Sequence, residues 1–199
     1  MRKEVVVIGL LIVITLLLVL FPRTDTKDYT NAKNFIQEHL RAKYPDADVI
    51  EVINGEGVAP TGYVSLKARV TRQYATPCPE RIHEYYNVSV ANMQNFVTGA
   101  SEYITRGCKI CTGETTCILA FEEEAIIASH TDPGTDQVVQ YLQNYPDAKP
   151  NVPVTFLADY NGQGEAWNVT WVSQKAPFSI YVTLLKNDNK VVETNLIGK

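Results

Sequence analysis

Hydrophobic and polar positions divide this chain into a short apolar head and a long mixed body. Residues 5–21, VVVIGLLIVITLLLVLF, contain no polar side chain except Thr15. Such a run has no polar face at helical spacing, so it predicts a membrane helix rather than a core helix. At 1.5 Å per residue it spans about 25 Å, close to the roughly 30 Å hydrocarbon core, with Arg2, Phe21 and Arg23 placed to reach the interfaces. A cleaved signal peptide would have a shorter apolar core followed by small residues. This run ends in Val19-Leu20-Phe21-Pro22-Arg23, which favours an uncleaved signal anchor over residues 1–23.

The body alternates between two periods. Ala32, Phe35, Ile36 and Leu40 recur at helical spacing, predicting an amphipathic helix over 30–44 that Tyr44-Pro45-Asp46 stops, because the residue before proline is pushed out of helical geometry. A strand over 48–53 is expected to end at the turn signal Asn54-Gly55, and residues 63–71 alternate apolar and polar as a second strand. The C-terminal third repeats this plan. Asp132-Pro133 is expected to open a helix with Val138, Val139, Leu142 and Tyr145 on its apolar face. Strands are then expected at 152–160, 165–173, 178–186 and 190–195, separated by Asn161-Gly162, Ala176-Pro177 and Asn187-Asp188. Tyr145-Pro146-Asp147-Ala148 repeats Tyr44-Pro45-Asp46-Ala47 at a spacing of 101 residues. One shared tetrapeptide arises easily by chance, and the preceding helix faces are out of register. The shared order of elements therefore carries the case for an internal duplication.

The stretch Trp167-Asn168-Val169-Thr170-Trp171-Val172, then Tyr181-Val182-Thr183-Leu184-Leu185, then Lys190-Val191-Val192, resembles the strand pattern of PepSY and cystatin-like domains. The resemblance covers residues 132–195, with a fainter echo at 30–75. It implies a helix over an antiparallel meander, and an association with peptidase inhibition or modulation of neighbouring domains. No Q-x-V-x-G segment is present, so no inhibitory residue carries across, and the likeness speaks to fold alone. The expected fold class is α+β. A membrane anchor at 1–23 precedes a helix-plus-sheet unit at 24–75, a cysteine-containing segment at 76–130 packed on the sheet, and a second helix-plus-sheet unit at 131–199.

Charge narrows the partners. The chain has 18 Lys+Arg and 22 Asp+Glu; setting aside Arg2, Lys3, Arg23 and Glu4 leaves 15 against 21, a net of −6 for the body. That excess disfavours nucleic acid, which calls for basic patches. Eleven tyrosines and a large apolar share suit a folded, strand-rich domain. Arg2, Lys3 and the terminal amine favour a cytoplasmic N-terminus, although Arg23 and Lys27 flank the other end. Two N-glycosylation sequons, at Asn87 and Asn168, and an even set of cysteines break the tie and place 24–199 outside the cytoplasm.

All four cysteines, Cys78, Cys108, Cys111 and Cys117, fall between residues 76 and 130. Two structural disulfides lead the readings. A zinc site lacks a second closely spaced pair, and a thioredoxin-like use of Cys108-x-x-Cys111 lacks the following helix, since Thr112-Gly113-Glu114-Thr115-Thr116 is loop chemistry. Four cysteines permit three connectivities; Cys108–Cys117 with Cys78–Cys111 is the pairing favoured here. His39 reads as a solvated helix residue, and His83 and His130 lack a catalytic neighbourhood. Glu122-Glu123-Glu124 reads as a solvated strand edge rather than a cation site. No catalytic, cofactor or metal motif occurs. The expectation is a non-catalytic, membrane-anchored module, inserted in the bilayer through 5–21, that binds a peptide or envelope protein outside the membrane. The alternative is an envelope thiol or metal enzyme centred on Cys108 and Cys111, with His83 as a further candidate.

Overall fold

The structure, a computed structural model, describes residues 26–56, 62–111 and 117–198. The apolar segment 5–21 lies outside them, and among the described residues no helix is long and apolar enough to cross a membrane. The fold is α+β, with two antiparallel sheets and two disulfides.

Helix α1 (Thr26–Lys43) buries Ala32, Ile36 and Leu40 completely, the stripe its spacing predicts. It covers one face of a sheet in the order β1 (Val49–Glu56), β2 (Tyr63–Arg72), β3 (Glu80–Ser89) and β4 (Phe96–Thr98), with β5 (Glu102–Thr105) also on β3. Val64, Leu66, Ala68 and Val70 of β2 face α1 beside Ile82, Tyr86 and Val88 of β3. Asn54-Gly55 is not the expected turn. The strand continues through it to Glu56, with a bulge between Val52 and Asn54. Gly55 is there for close approach: a Cβ would run into the Tyr29 ring and lie 2.8 Å from a Leu66 methyl.

The segment 76–130 is not an appendage packed on this sheet. Ten of its residues are β3, paired with β2 over its whole length, and its end forms α2 (Glu122–Thr131). Alternation along β3 was masked in the sequence because the inward position 84 is a glutamate. Its Oε1 accepts from Lys43 Nζ and Ser101 Oγ, both at 2.9 Å, and from the Tyr44 hydroxyl. Burial would raise the Glu84 pKa, but these hydrogen bonds and the Lys43 charge hold it below the usual carboxylate value.

The second unit places α2 and α3 (Asp136–Asn144) on a sheet ordered β10 (Val191–Gly198), β9 (Phe178–Leu185), β8 (Ala166–Val172) and β6 (Lys149–Pro150), with β7 (Thr155–Leu157) also on β8. Trp171, Ile180, Val182 and Leu184 pack with Ala125, Ile126, Val138 and Tyr141 in its core. Three expectations shift here. Asp132-Pro133 does not open α3 but forms the bend after α2, where Gly134 has φ +91. The strand expected at 152–160 is reduced to β7, because Pro153 has no N–H for a ladder. The three glutamates begin a helix instead of a strand edge. Carboxylates favour the positive end of a helix, and Glu124 Oε2 accepts the Phe121 N–H at 2.9 Å.

The two Tyr-Pro-Asp-Ala segments do the same work. Tyr44 N–H donates to Leu40 O and Tyr145 N–H to Tyr141 O, at 2.8 and 2.9 Å, closing each helix over a buried residue. Ala47 and Ala148 then donate back to the tyrosine carbonyls. Asp46 accepts from Arg72 Nε and Asp147 from Ser173 Oγ, each 2.9 Å and each 26 residues downstream. The aspartate thus ties the helix exit to the end of β2 in the first unit, and to Ser173, just past β8, in the second.

Candidate functional site

The densest polar cluster lies where the units meet. On β2 and β3 the side chains facing away from α1 are paired by register, Arg69 opposite His83 and Thr71 opposite Arg81. Against them α2 brings Glu122 and Glu123. Glu123, with no exposed surface, accepts from Arg69 Nη2 and Thr71 Oγ1 at 2.6 Å on one oxygen, and from Arg81 Nη1 at 2.9 Å on the other. Glu122 takes Arg69 Nη2 at 2.6 Å and the Tyr74 hydroxyl at 2.5 Å. The Arg81 guanidinium lies 3.8 Å from the centre of the Phe121 ring, with His83 edge-on to the same ring at 5.1 Å.

The electrostatics follow from burial and these contacts. Burial pushes Glu123 up, but the Arg81 and Arg69 charges outweigh it and hold the carboxylate ionised. His83 is lowered to about 4, first by burial and then by the Arg81 and Lys67 charges. Arg81 Nε donates to His83 Nε2 at 3.0 Å, so the imidazole proton sits on Nδ1, 3.4 Å from Glu102 Oε2 and beyond a good hydrogen bond. Both arginines are committed to carboxylates and the imidazole to Arg81. Chemically this is a lock between two units, with its charges spent on one another.

Two members of this region titrate in opposite senses. Burial lifts Glu124 to about 7. Because the folded state holds that proton more tightly than the unfolded chain, its contribution is full below about pH 4.5 and is lost as pH rises to about 7. His83 is depressed from 6.5 to about 4, so its contribution is present above pH 6.5 and lost as pH falls towards 4. Urea unfolding between these limits should show the stability difference between wild type and Glu124→Gln shrinking as pH rises. The difference between wild type and His83→Gln should shrink as pH falls. Two flat differences would refute both assignments.

The cysteines pair as Cys78–Cys108 and Cys111–Cys117, not as the favoured Cys108–Cys117 and Cys78–Cys111. Spacing could not decide this. β3 and β5 lie side by side, with Arg81 opposite Thr105, which brings the residues just before β3 to those just after β5. Cys108 and Cys111 have φ of 58 and 48, and the four residues of the C-x-x-C stretch are irregular rather than helical. Cys78, Cys108 and His130, rather than His83, bring ligand-type atoms within 4.8 Å of one another. With the two sulfurs joined to each other, neither is the thiolate that ligates zinc. His130 Nε2 lies 2.7 Å from the Pro77 carbonyl, and its ring packs edge-on to Trp171. His39 is half-buried against Tyr86 and Phe96, with ring centres at 5.8 and 4.9 Å, instead of solvated.

Of the sequon asparagines, Asn87 is exposed on the face of β3 turned away from α1, and Asn168 is half-buried on β8. The remaining candidate surface is a sheet edge. β10 ends the second sheet, pairs with β9 on one side, and among the described residues has no strand on the other. Its last residues are exposed on both faces, Leu196 at 60% and Ile197 at 46%. The sequence reading missed Arg69, Arg81 and Glu123; the one available signal was a carboxylate run directly ahead of the apolar stretch Ala125-Ile126-Ile127-Ala128. No known protein family, curated protein or solved structure matches this chain.

Proposed function

We propose that this chain is a membrane-tethered, extracytoplasmic, non-catalytic binding module that takes an extended segment of another protein along β10. The outer edge of that strand carries the reading: eight residues long, with no strand on its outer side among the described residues, and with Leu196 and Ile197 exposed at its end. Open edges of this kind template strand addition, and proteins that do not use them protect them with charge, proline or cover. Backbone hydrogen bonds would supply affinity, and the two apolar side chains selectivity. The two disulfides support an oxidising compartment, and the apolar segment 5–21 supports the tether. Each unit's helix-then-meander order, with its equivalent Tyr-Pro-Asp-Ala stop, supports reading the two as copies of one cystatin- or PepSY-like module. The thiol-enzyme alternative has less support, because Cys108 and Cys111 are each bonded to a different cysteine.

Proximity labelling from the anchored chain in its own membrane tests this, run beside a Leu196→Lys/Ile197→Lys variant. The expected result is a reproducible extracytoplasmic neighbour that the variant loses. A neighbour retained by the variant removes β10 from the account. A body that added protease cannot reach in intact cells removes the placement.

A further inference from the structure

The face of the first sheet turned away from α1 is divided in two. Where it carries Arg69, Thr71, Arg81 and His83 it is covered by α2. Further along the same strands Ser65 stands opposite Asn87 and Lys67 opposite Tyr85, and these four side chains line an open hollow of about 420 Å³. That volume falls in the lower part of the range of small-molecule sites, about 300–1,000 Å³. Gly99 keeps it open beside Tyr85, since a Cβ there would come within 3.1 Å of the Tyr85 Cβ. Among the described residues the lining offers the Tyr85 ring with the Lys67 ammonium 5.2 Å from its centre, a serine hydroxyl and an amide. Such a set suits a sugar, whose C–H face lies on an aromatic ring while its hydroxyls meet polar groups.

The occupant is indicated by the amide itself. Asn87-Val88-Ser89 is a sequon, and Asn87, like Ser65 opposite it, is an exposed member of the lining. Ser65 Oγ donates to Asn87 Oδ1 at 2.7 Å, which holds the amide in place and leaves Nδ2 for a substituent. A sugar attached there is already tethered at the hollow and gains an effective concentration that no free sugar has. We propose that Asn87 carries an N-linked oligosaccharide whose first sugar is seated in this hollow against Tyr85, covering the half of the sheet face that α2 leaves open. The inference rests on the extracytoplasmic placement of the body. The donor is a lipid-phosphate-linked oligosaccharide. The bond from sugar C1 to the phosphate oxygen breaks, a bond from C1 to Nδ2 forms, Nδ2 gives up one proton, and the lipid phosphate leaves with the electron pair. Because β3 is paired on both sides, transfer precedes closure of the sheet.

The test uses the full chain, made in cells that contain such donors and purified in detergent. Peptide mass mapping should find the glycan on Asn87 and lose it in Ser89→Ala. A glycosidase that cuts the Asn–sugar bond should act about tenfold more slowly on the folded protein than on the unfolded one. Tyr85→Ala should remove that protection, Tyr85→Phe should keep it, and Lys67→Ala, which leaves the β3 side chains intact, should weaken it. An unmodified Asn87 in chains whose body is digested by external protease overturns the inference and leaves the placement standing. A body both protected and unmodified overturns the two together. Equal release from wild type, Tyr85→Ala and Lys67→Ala overturns the seat.

Discussion

Glu123→Ala should lower the free energy of unfolding by about 3–5 kcal/mol, the range for removing one partner of a buried ion pair. The carboxylate has no exposed surface and neutralises two arginines whose side chains are 6% and 12% exposed. Once it is gone, Arg69 retains Glu122, but among the described residues Arg81 keeps no hydrogen-bonded carboxylate and is left beside His83 and the Phe121 ring. A guanidinium so placed can neither lose its proton nor reach water without moving α2 from β2 and β3. Replacing the charge on both sides, as Glu123→Leu with Arg81→Met, should cost less than the single change, because no orphaned charge remains. Urea unfolding of the three proteins decides the matter. A loss below about 1 kcal/mol for Glu123→Ala would mean that water reaches the cluster and that it does not lock the units.

This junction also shows where the sequence stops being legible. Helix α1 could be read because Ala32, Ile36 and Leu40 meet a core on one side and water on the other. Helix α2 could not, because Glu123 through Ser129 are all buried and no polar stripe survives to mark its period. Its leading glutamates look solvated until the arginines of β2 and β3 are known, and those are 42 or more residues away. The same difficulty hid β3, whose inward Glu84 finds Lys43 and Tyr44 at the exit of α1. Asn54-Gly55 misled for a different reason. Glycine marks either a turn or a close approach, and only the position of Tyr29 distinguishes them. The Tyr-Pro-Asp-Ala repeat lay in plain view, yet the matching bonds from Asp46 to the end of β2 and from Asp147 to Ser173, just past β8, could be found only in three dimensions.

Cysteine pairing was the least legible feature, and its correction yields the second large effect. Cys78 precedes β3 and Cys108 follows β5, so this bridge fastens the ends of two paired strands across a separation of 30 residues. In the chain-entropy account, opening a loop of that length costs about 3.5 kcal/mol, whereas the six-residue separation of Cys111–Cys117 is worth about 2. The short bridge acts more locally: it closes a loop whose flanking Ile110 and Cys117 pack on the second core. Cys78→Ala with Cys108→Ala should therefore destabilise more than Cys111→Ala with Cys117→Ala, by about 1–2 kcal/mol in urea unfolding. The first pair should also loosen the β3–β5 pairing, even though Thr105 Oγ1 still bridges Arg81 N–H and the Pro79 carbonyl. Amide hydrogen exchange across residues 102–105 reads that loosening directly. Equal losses from the two double variants, or a non-reduced peptide map joining Cys108 to Cys117, would show that the strand ends are held some other way.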